Sequence, residues 1–180
     1  LKQVSRGTSN LDDLDLSPLL VQADPGENDR YCKSNLINKV PPTLDEKIFE
    51  DIKIPFEKKN KIEVSYDIKN VNRAVGTRLS HYIYKKFGKE KIEKNSIIIN
   101  LLGSAGQSLG AFGIKGLKLN VIGDANDYVG KGLSGATIVI KPPTESNLIS
   151  NENTIIGNTV LYGATSGKLF AAGQSGERFA

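Results

Sequence analysis

Before residue 95, the pattern of hydrophobic and polar positions is that of two amphipathic helices with a strand between them. The sequence TLDE at 43–46 is a capping box that starts the first helix, and its apolar face has helical spacing: Leu44, Ile48, Phe49 and Ile52. Alternating apolar and polar residues over 62–68 predict a half-buried strand. A second helix is predicted over 72–87, with Gly88 as its C-cap. Residues 1–42 show weak periodicity and turn-forming clusters, which predicts extended loops.

After residue 95 the pattern changes to short β-branched runs separated by glycines: 4 of the 18 glycines precede this point and 14 follow it. Strands are predicted at 97–99, 117–122, 136–140, 159–162 and 169–172. Short strands at near-regular intervals, with glycines at the corners, are typical of a β-solenoid, in which stacked coils bury each other's inward faces. Corner glycines supply positive φ angles and close backbone approach, and nine are assigned this role: Gly116, Gly123, Gly130, Gly132, Gly135, Gly157, Gly163, Gly167 and Gly173.

The sequence GKGLSG at 130–135 has the G-x-G-x-x-G spacing of a dinucleotide-binding loop. Such a loop follows a buried strand and opens a helix, because the pyrophosphate rests on the helix N-terminus. Here the residues that follow, ATIVIKPP at 136–143, predict a strand, and the preceding DANDY at 124–128 is typical of a turn. Both flanks argue against a cofactor-binding loop, and a cofactor-binding module using GKGLSG is kept only as an alternative.

Candidate chemistry is sparse in this chain. Three nearby oxygen ligands suggest calcium: Asp124, Asn126 and Asp127. Their spacing matches neither an EF-hand nor the calcium-binding nonapeptide repeats, so Asx-turns are favoured. The acidic residues of 12–15 are likewise interpreted as a loop rather than an acid–base pair. Cys32 is the only cysteine and His81 the only histidine, which leaves no internal disulfide and no ligand set. No catalytic, cofactor-binding or metal-binding residue is therefore predicted.

The net charge of +4 and the pI near 9.0 raise the question of a nucleic-acid or other polyanionic partner. The charges are interspersed, and no Lys/Arg block with interleaved aromatic residues follows a phosphate backbone, so nucleic acid is not predicted. A polyanion-binding solenoid would need one face lined with lysine, and the solenoid part has five: Lys115, Lys118, Lys131, Lys141 and Lys168. No apolar run approaches the ~20 residues of a membrane span, so no membrane association is predicted.

Three long runs carry a resemblance to a known family: GSAGQSLGAF at 103–112, GLKLNVIGDANDYVGKGLSGATIVI at 116–140, and IIGNTVLYGATSGKLFAAGQSGERFA at 155–180. With NRAVGTRL at 72–79, they resemble the C-terminal GXGXG domain of the glutamate synthase large chain. The resemblance implies a mainly β fold, a right-handed parallel β-helix over 95–180. It is preceded by a helical and strand lead-in at 43–94 and by a linker from a flavin domain at 1–42.

The resemblance also implies a function. The family makes two L-glutamate from L-glutamine and 2-oxoglutarate with a reductant, using FMN and an iron–sulfur cluster in other domains. The C-terminal domain is a non-catalytic scaffold for the amidotransferase and FMN/synthase domains, and a reductase subunit or domain is a further partner. The cluster requires three cysteines, so Cys32 cannot stand in for it. The alternative is a GXGXG domain of another oxidoreductase, similar to formylmethanofuran dehydrogenase.

Several further expectations concern the context of the segment. Its first residue is Leu1 and its last is Ala180, which suggests a piece of a longer protein, truncated within the β-helix. An open last coil predicts either self-association through residues from about Thr159 onward or fraying of the last residues. The expected location is intracellular, cytoplasmic or organellar. The resemblance leaves the electron donor open among NADH, NADPH and ferredoxin.

Overall fold

The computed structural model describes residues 7, 15–33, 39–58, 61–88 and 92–180. The chain divides into two units, Leu1–Val40 and Pro41–Ala180. In the first unit the described residues are mostly exposed and lack regular structure, as the predicted extended loops require. A single 3₁₀ turn, Ser17–Leu19, interrupts this described stretch.

Among its described residues, the second unit contains two helices and seven strands. The helices are α1 (Leu44–Lys58) and α2 (Thr77–Phe87); the strands are β1 (Ile62–Ile68), β2 (Ile97–Ala105), β3 (Leu117–Ala125), β4 (Ser134–Lys141), β5 (Thr154–Ile156), β6 (Ser166–Ala171) and β7 (Gln174–Ser175). All strand pairs are parallel, in the order β1-β2-β3-β4-β6, with β5 pairing β3 and β7. The ends of this path do not pair with each other. The predicted mainly β fold is confirmed as an open, parallel sheet with few helices.

The core of this unit follows from the alternation of side chains along the central strands. Alternate residues in β2, β3 and β4 are buried, because successive side chains of a strand point to opposite faces. Since the strands pair in parallel register, buried residues such as Leu119 and its partners Ile99 and Ile138 stack across the sheet. Buried residues of both helices complete the same cluster: Ile48, Ile52, Leu79 and Ile83. The strand predicted at 62–68 and the apolar face of the first helix are confirmed.

The second helix begins five residues later than its prediction, at Thr77. Ala74 and Gly76 have φ angles of 53° and 95°, which a right-handed helix cannot contain. The Ala74 N–H donates to the Gln107 carbonyl (2.9 Å), so this segment bonds to a neighbouring turn before the helix begins. The predicted C-cap, Gly88, is confirmed with a φ of 71°. No helix in the described part of the chain has the length and apolarity that crossing a membrane requires.

The strand predicted at 159–162 is wrong, because these residues form a turn. Thr159 and Leu161 have φ angles of 54° and 59°, outside the β region. Their N–H groups donate to the carbonyls of Glu177 and Val129, at 2.8 Å in both cases. The β-branched composition of this run misleads because hydrogen bonds to other turns decide its conformation. The other four predicted strands lie within β2, β3, β4 and β6, apart from end residues, whereas the short β5 and β7 were not predicted.

Candidate functional site

The GKGLSG segment lies at the end of the connection between β3 and β4, and its last two residues belong to β4. The strand predicted after Gly135 is confirmed, because β4 already begins at Ser134. The turn predicted at 124–128 is wrong at its first two residues. Asp124 and Ala125 are the last residues of the parallel strand β3. The segment therefore joins two neighbouring parallel strands without the helix N-terminus on which a pyrophosphate would rest.

The backbone amides of this segment are engaged in hydrogen bonds within the fold. Each N–H from residue 130 to residue 134 donates to a carbonyl at 2.8–3.1 Å. Three of these carbonyls belong to other turns, those of Leu109, Gly113 and Tyr162. A phosphate-binding loop needs its amides to point at the anion. The amides of GKGLSG instead hold this turn between its neighbours.

The nine glycines predicted to lie at corners fall into two groups, and three of them, Gly123, Gly135 and Gly167, lie within β3, β4 and β6. Seven have a positive φ angle: Gly116, Gly123, Gly130, Gly132, Gly135, Gly163 and Gly167. The other two are sites of close packing, where a Cβ on Gly157 would lie 2.3 Å from Asp127 Oδ1 and one on Gly173 would lie 2.6 Å from Ile155 Cγ1. Side chains at these two positions would push neighbouring turns apart.

A second set of left-handed residues lies in the same turns and was missed by sequence reasoning. The five residues are Ala74, Ser108, Tyr128, Thr159 and Arg178, and their φ angles lie between 53° and 63°. In each of the first four, the backbone N–H donates a hydrogen bond of 2.8–2.9 Å to a carbonyl in the next turn. That carbonyl belongs to the residue immediately before the next member of the list. Five different residue types fill this repeated position, so residue type alone does not mark it; the shared signal is the apolar residue that follows each one.

Two of the three side chains considered for calcium, Asn126 and Asp127, form hydrogen bonds between turns, whereas Asp124 is an exposed residue of β3. Asp127 Oδ1 accepts hydrogen bonds from the backbone N–H (2.7 Å) and the side-chain amide (3.1 Å) of Asn158. Asn158 Oδ1 in turn accepts from the Glu177 N–H at 2.7 Å. Asn126 accepts from the Asp127 N–H (2.7 Å) and donates to Asn70 Oδ1 (2.8 Å). The oxygens of Asn126 and Asp127 are therefore engaged within the fold, but mainly by bonds between distant turns rather than by the local Asx-turns that were favoured.

The other candidate side chains belong to exposed positions. Cys32 is exposed in the first unit, and His81 is exposed on α2. The Asp15 carboxylate accepts a hydrogen bond from the Ser17 N–H (2.9 Å), whereas residues 12 and 13 lie outside the described residues. Within the described ranges, no three His, Cys, Asp or Glu side chains are placed to hold a metal ion.

The lysines separate into two groups. Lys115, Lys118 and Lys168 line one groove of about 640 Å³ together with Lys94. Lys131 lies elsewhere, with its Nζ 5.7 Å from the ring centroid of Tyr128, and Lys141 is the exposed last residue of β4. The structure thus brings together three of the five lysines considered for a polyanion face and leaves out two.

Asp45 has a role that the sequence did not reveal. The capping box is confirmed in that Thr43 Oγ1 accepts from the Glu46 N–H (3.1 Å), but Asp45 between them acts on the other helix. Its carboxylate is 8% exposed and accepts from the N–H groups of Gly76 (2.6 Å) and Arg78 (2.9 Å). It thereby caps the N-terminus of α2 from α1. Burial raises the pKa of Asp45, although the two amides act in the opposite direction.

Comparison with known proteins gives a consistent result. A family model described as the GXGXG motif matches residues 45–180. The glutamate synthase [NADPH] large chain of Azospirillum brasilense is 61% identical over all 180 residues. The glutamate synthase [NADH] of Saccharomyces cerevisiae is 44% identical over 92% of the chain, and the ferredoxin-dependent glutamate synthase 2 of Synechocystis sp. is 42% identical over 96%. The chain spans only 12%, 8% and 11% of the length of these three relatives.

Proposed function

The chain belongs to the GXGXG family and matches its glutamate synthase members, and from this premise we propose that it is the C-terminal structural domain of a glutamate synthase large chain. The observation that carries the proposal is the 61% identity over all 180 residues to one such large chain. The engaged amides of GKGLSG and the Asp127–Asn158 hydrogen bonds support a structural role. These polar groups hold the turns together instead of facing a substrate.

In this proposal the full enzyme makes two L-glutamate from L-glutamine and 2-oxoglutarate with a reductant. FMN and the iron–sulfur cluster belong to other parts of that enzyme, because the residues of this segment fit neither. The cluster requires several cysteines and the chain has one, while the GKGLSG amides are bonded internally. The names of the relatives give three reductants, NADPH, NADH and ferredoxin, so the proposal does not specify the electron donor. It does include a reductase subunit or domain as a partner and an intracellular location.

The fold that we assign to residues 95–180 is a right-handed parallel β-helix, with 43–94 as its lead-in and 1–42 as a linker. Regular offsets between paired residues support it: Ile97 pairs with Leu117 and Lys118 with Thr137, 20 and 19 residues apart. The next pair, Thr137 with Lys168, is 31 residues apart. A mostly exposed connection at 142–153 accounts for the longer interval. β1, within the lead-in, extends the same sheet.

A stack of bonded turns is physically suited to a scaffold. Each turn is joined to the next by strand pairing and by corner hydrogen bonds, so moving one turn relative to another breaks several bonds together. The enzyme in this proposal releases ammonia at one active site and consumes it at another. A stiff segment that fixes the distance between the two domains keeps ammonia from escaping into water.

The first test asks whether any side chain of this segment acts chemically. In the full large chain, Cys32→Ser, His81→Asn and Lys131→Gln each remove a chemically capable group from an exposed or partly exposed position. We expect each variant to keep glutamate synthesis within about twofold of the parent, since loss of a general acid or base costs roughly 10²–10⁴-fold. A loss of about 100-fold with an unchanged melting temperature would refute the non-catalytic assignment.

The second test asks whether the segment keeps the two reactions coupled. Gly123→Ala in the large chain disturbs the contact between β2 and β3, whereas Gly163→Ala places a Cβ in open space. We expect the first variant to hydrolyse more glutamine for each glutamate formed, and the second to keep the parent ratio. An unchanged ratio in a Gly123→Ala enzyme whose melting temperature has fallen would argue against the scaffold role.

A further inference from the structure

The groove lined by Lys94, Lys115, Lys118 and Lys168, here called the basic groove, has a positively charged lining. No Asp or Glu is among its described lining residues. The ion pairs found in the described ranges use other cations, those of Lys33, Lys53, Arg78 and Lys86. Four like charges on one concave surface raise the local concentration of anions.

The strand register fixes the spacing of the lysines. Lys118, Thr137 and Lys168 are register partners on β3, β4 and β6. The Cα atoms of Lys118 and Lys168 are therefore two strand spacings apart, about 9.6 Å. An extended segment in the polyproline II conformation advances about 3.1 Å per residue with three residues per turn, so carboxylates three residues apart lie on one side of it and match this separation. The spacing suits several anionic groups along one chain better than one small anion.

The same face of the sheet carries two apolar residues beside the lysines. Val139 follows Thr137 and Phe170 follows Lys168 at the two-residue interval that keeps side chains on one face. The Phe170 side chain is 55% exposed and lines the basic groove. An exposed aromatic residue surrounded by cations is typical of a protein-binding surface, where the aromatic residue anchors the partner and the charges orient it.

We propose that the basic groove binds an acidic, extended segment from another part of the same large chain, with its carboxylates on Lys118 and Lys168 and an apolar side chain on Phe170. The occupant follows from charge complementarity and from length, since the segment spans only 12% of the relative that is 61% identical to it. The inference rests on the proposed function, because it requires the chain to be part of that longer protein.

The experiment measures lysine reactivity and cross-linking in the intact large chain. Amine acetylation is read by mass spectrometry at low salt and normalised to the urea-unfolded protein, with the exposed Lys69 and Lys85 as controls. We expect Lys118 and Lys168 to be about fivefold less reactive than the controls, because a bound partner excludes the reagent. The protection falls in 1 M salt, where the Debye length is about 3 Å.

Zero-length carbodiimide cross-linking then identifies the partner. We expect Lys118 or Lys168 to be linked to an Asp or Glu outside this segment, and Lys118→Glu to abolish the link and expose Lys168. The matched control is Lys141→Glu, on the same sheet but outside the basic groove. Its links and protection should remain those of the parent.

Three results would overturn the proposal. These are groove lysines as reactive as the controls, protection without any cross-link beyond this segment, and protection that requires added inorganic phosphate, which would indicate a small-anion site. The proposed function is tested separately, by the cross-links that all lysines of the segment form. Cross-links from other lysines to the rest of the large chain would leave the scaffold role standing, whereas no cross-link from any of them would count against both.

Discussion

Gly123 offers a stringent test of the sheet because two glycines face each other there. Gly123 on β3 pairs with Gly103 on β2, which pairs with Ile68 on β1. The φ angle of Gly123 is +146°, and a Cβ at this position would lie 2.1 Å from the carbonyl oxygen of Gly103. Because that oxygen belongs to backbone rather than to a flexible side chain, Gly123→Ala must move β3 away from β2.

The expected cost has two parts. The unfavourable φ of an alanine contributes about 1–3 kcal/mol. Moving the strands apart weakens one or two hydrogen bonds, at about 0.5–1.5 kcal/mol each. We therefore expect the free energy of unfolding to fall by about 2–5 kcal/mol, and the melting temperature of a chain of this size to fall by roughly 5–15 °C.

The assay is urea unfolding of the 180-residue chain followed by far-ultraviolet circular dichroism, with Gly163→Ala as the matched control. Gly163 has a φ of +68°, but a Cβ added there would have no neighbouring atom within 4 Å. The Gly163→Ala variant therefore loses only the about 1–2 kcal/mol of stability that a left-handed backbone conformation costs an alanine. The difference between the two variants measures the collision with Gly103. Equal losses, within about 0.5 kcal/mol, would refute the close approach of β2 and β3 at this point.

Three further predictions address other parts of the chain. Gly132→Val should lower the free energy of unfolding by about 1–3 kcal/mol, because φ is +62° and its Cβ would meet the Phe112 ring; an unchanged melting temperature without ligand would contradict a structural corner. Asp45→Asn should cost about 1–3 kcal/mol at neutral pH, since one of two amide-accepting oxygens is replaced. Burial raises the pKa of Asp45, so the extra stability from binding a proton is complete below the unfolded pKa and is lost as pH rises through the folded one, while the two amide hydrogen bonds remain at neutral pH; difference titrations against Asp45→Asn should show stability declining over that window, and the reverse slope would disprove it. The purified segment should show no flavin absorbance and no glutamate synthase activity, and a folded sample with either would overturn the proposed division of labour.

The sequence alone determined the elements whose signals are local. The capping box started α1, alternation predicted β1, and the strand after Gly135 excluded the helix that a dinucleotide loop requires. These features depend on a few adjacent residues, so their chemistry can be read without knowing the neighbours. The long runs of resemblance added the family, which the match to residues 45–180 supports.

Only the tertiary structure decided the features that depend on residues distant in sequence. The run at 159–162 has the composition of a strand, but Thr159 and Leu161 adopt positive φ because the carbonyls of Glu177 and Val129 accept their hydrogen bonds. Asp45 caps a helix that begins 32 positions later, and the basic groove collects lysines from separate strands. Stacking of the turns places residues about 20 positions apart side by side. The energy of each such contact depends on the residue that it meets in the neighbouring turn, not on the local sequence.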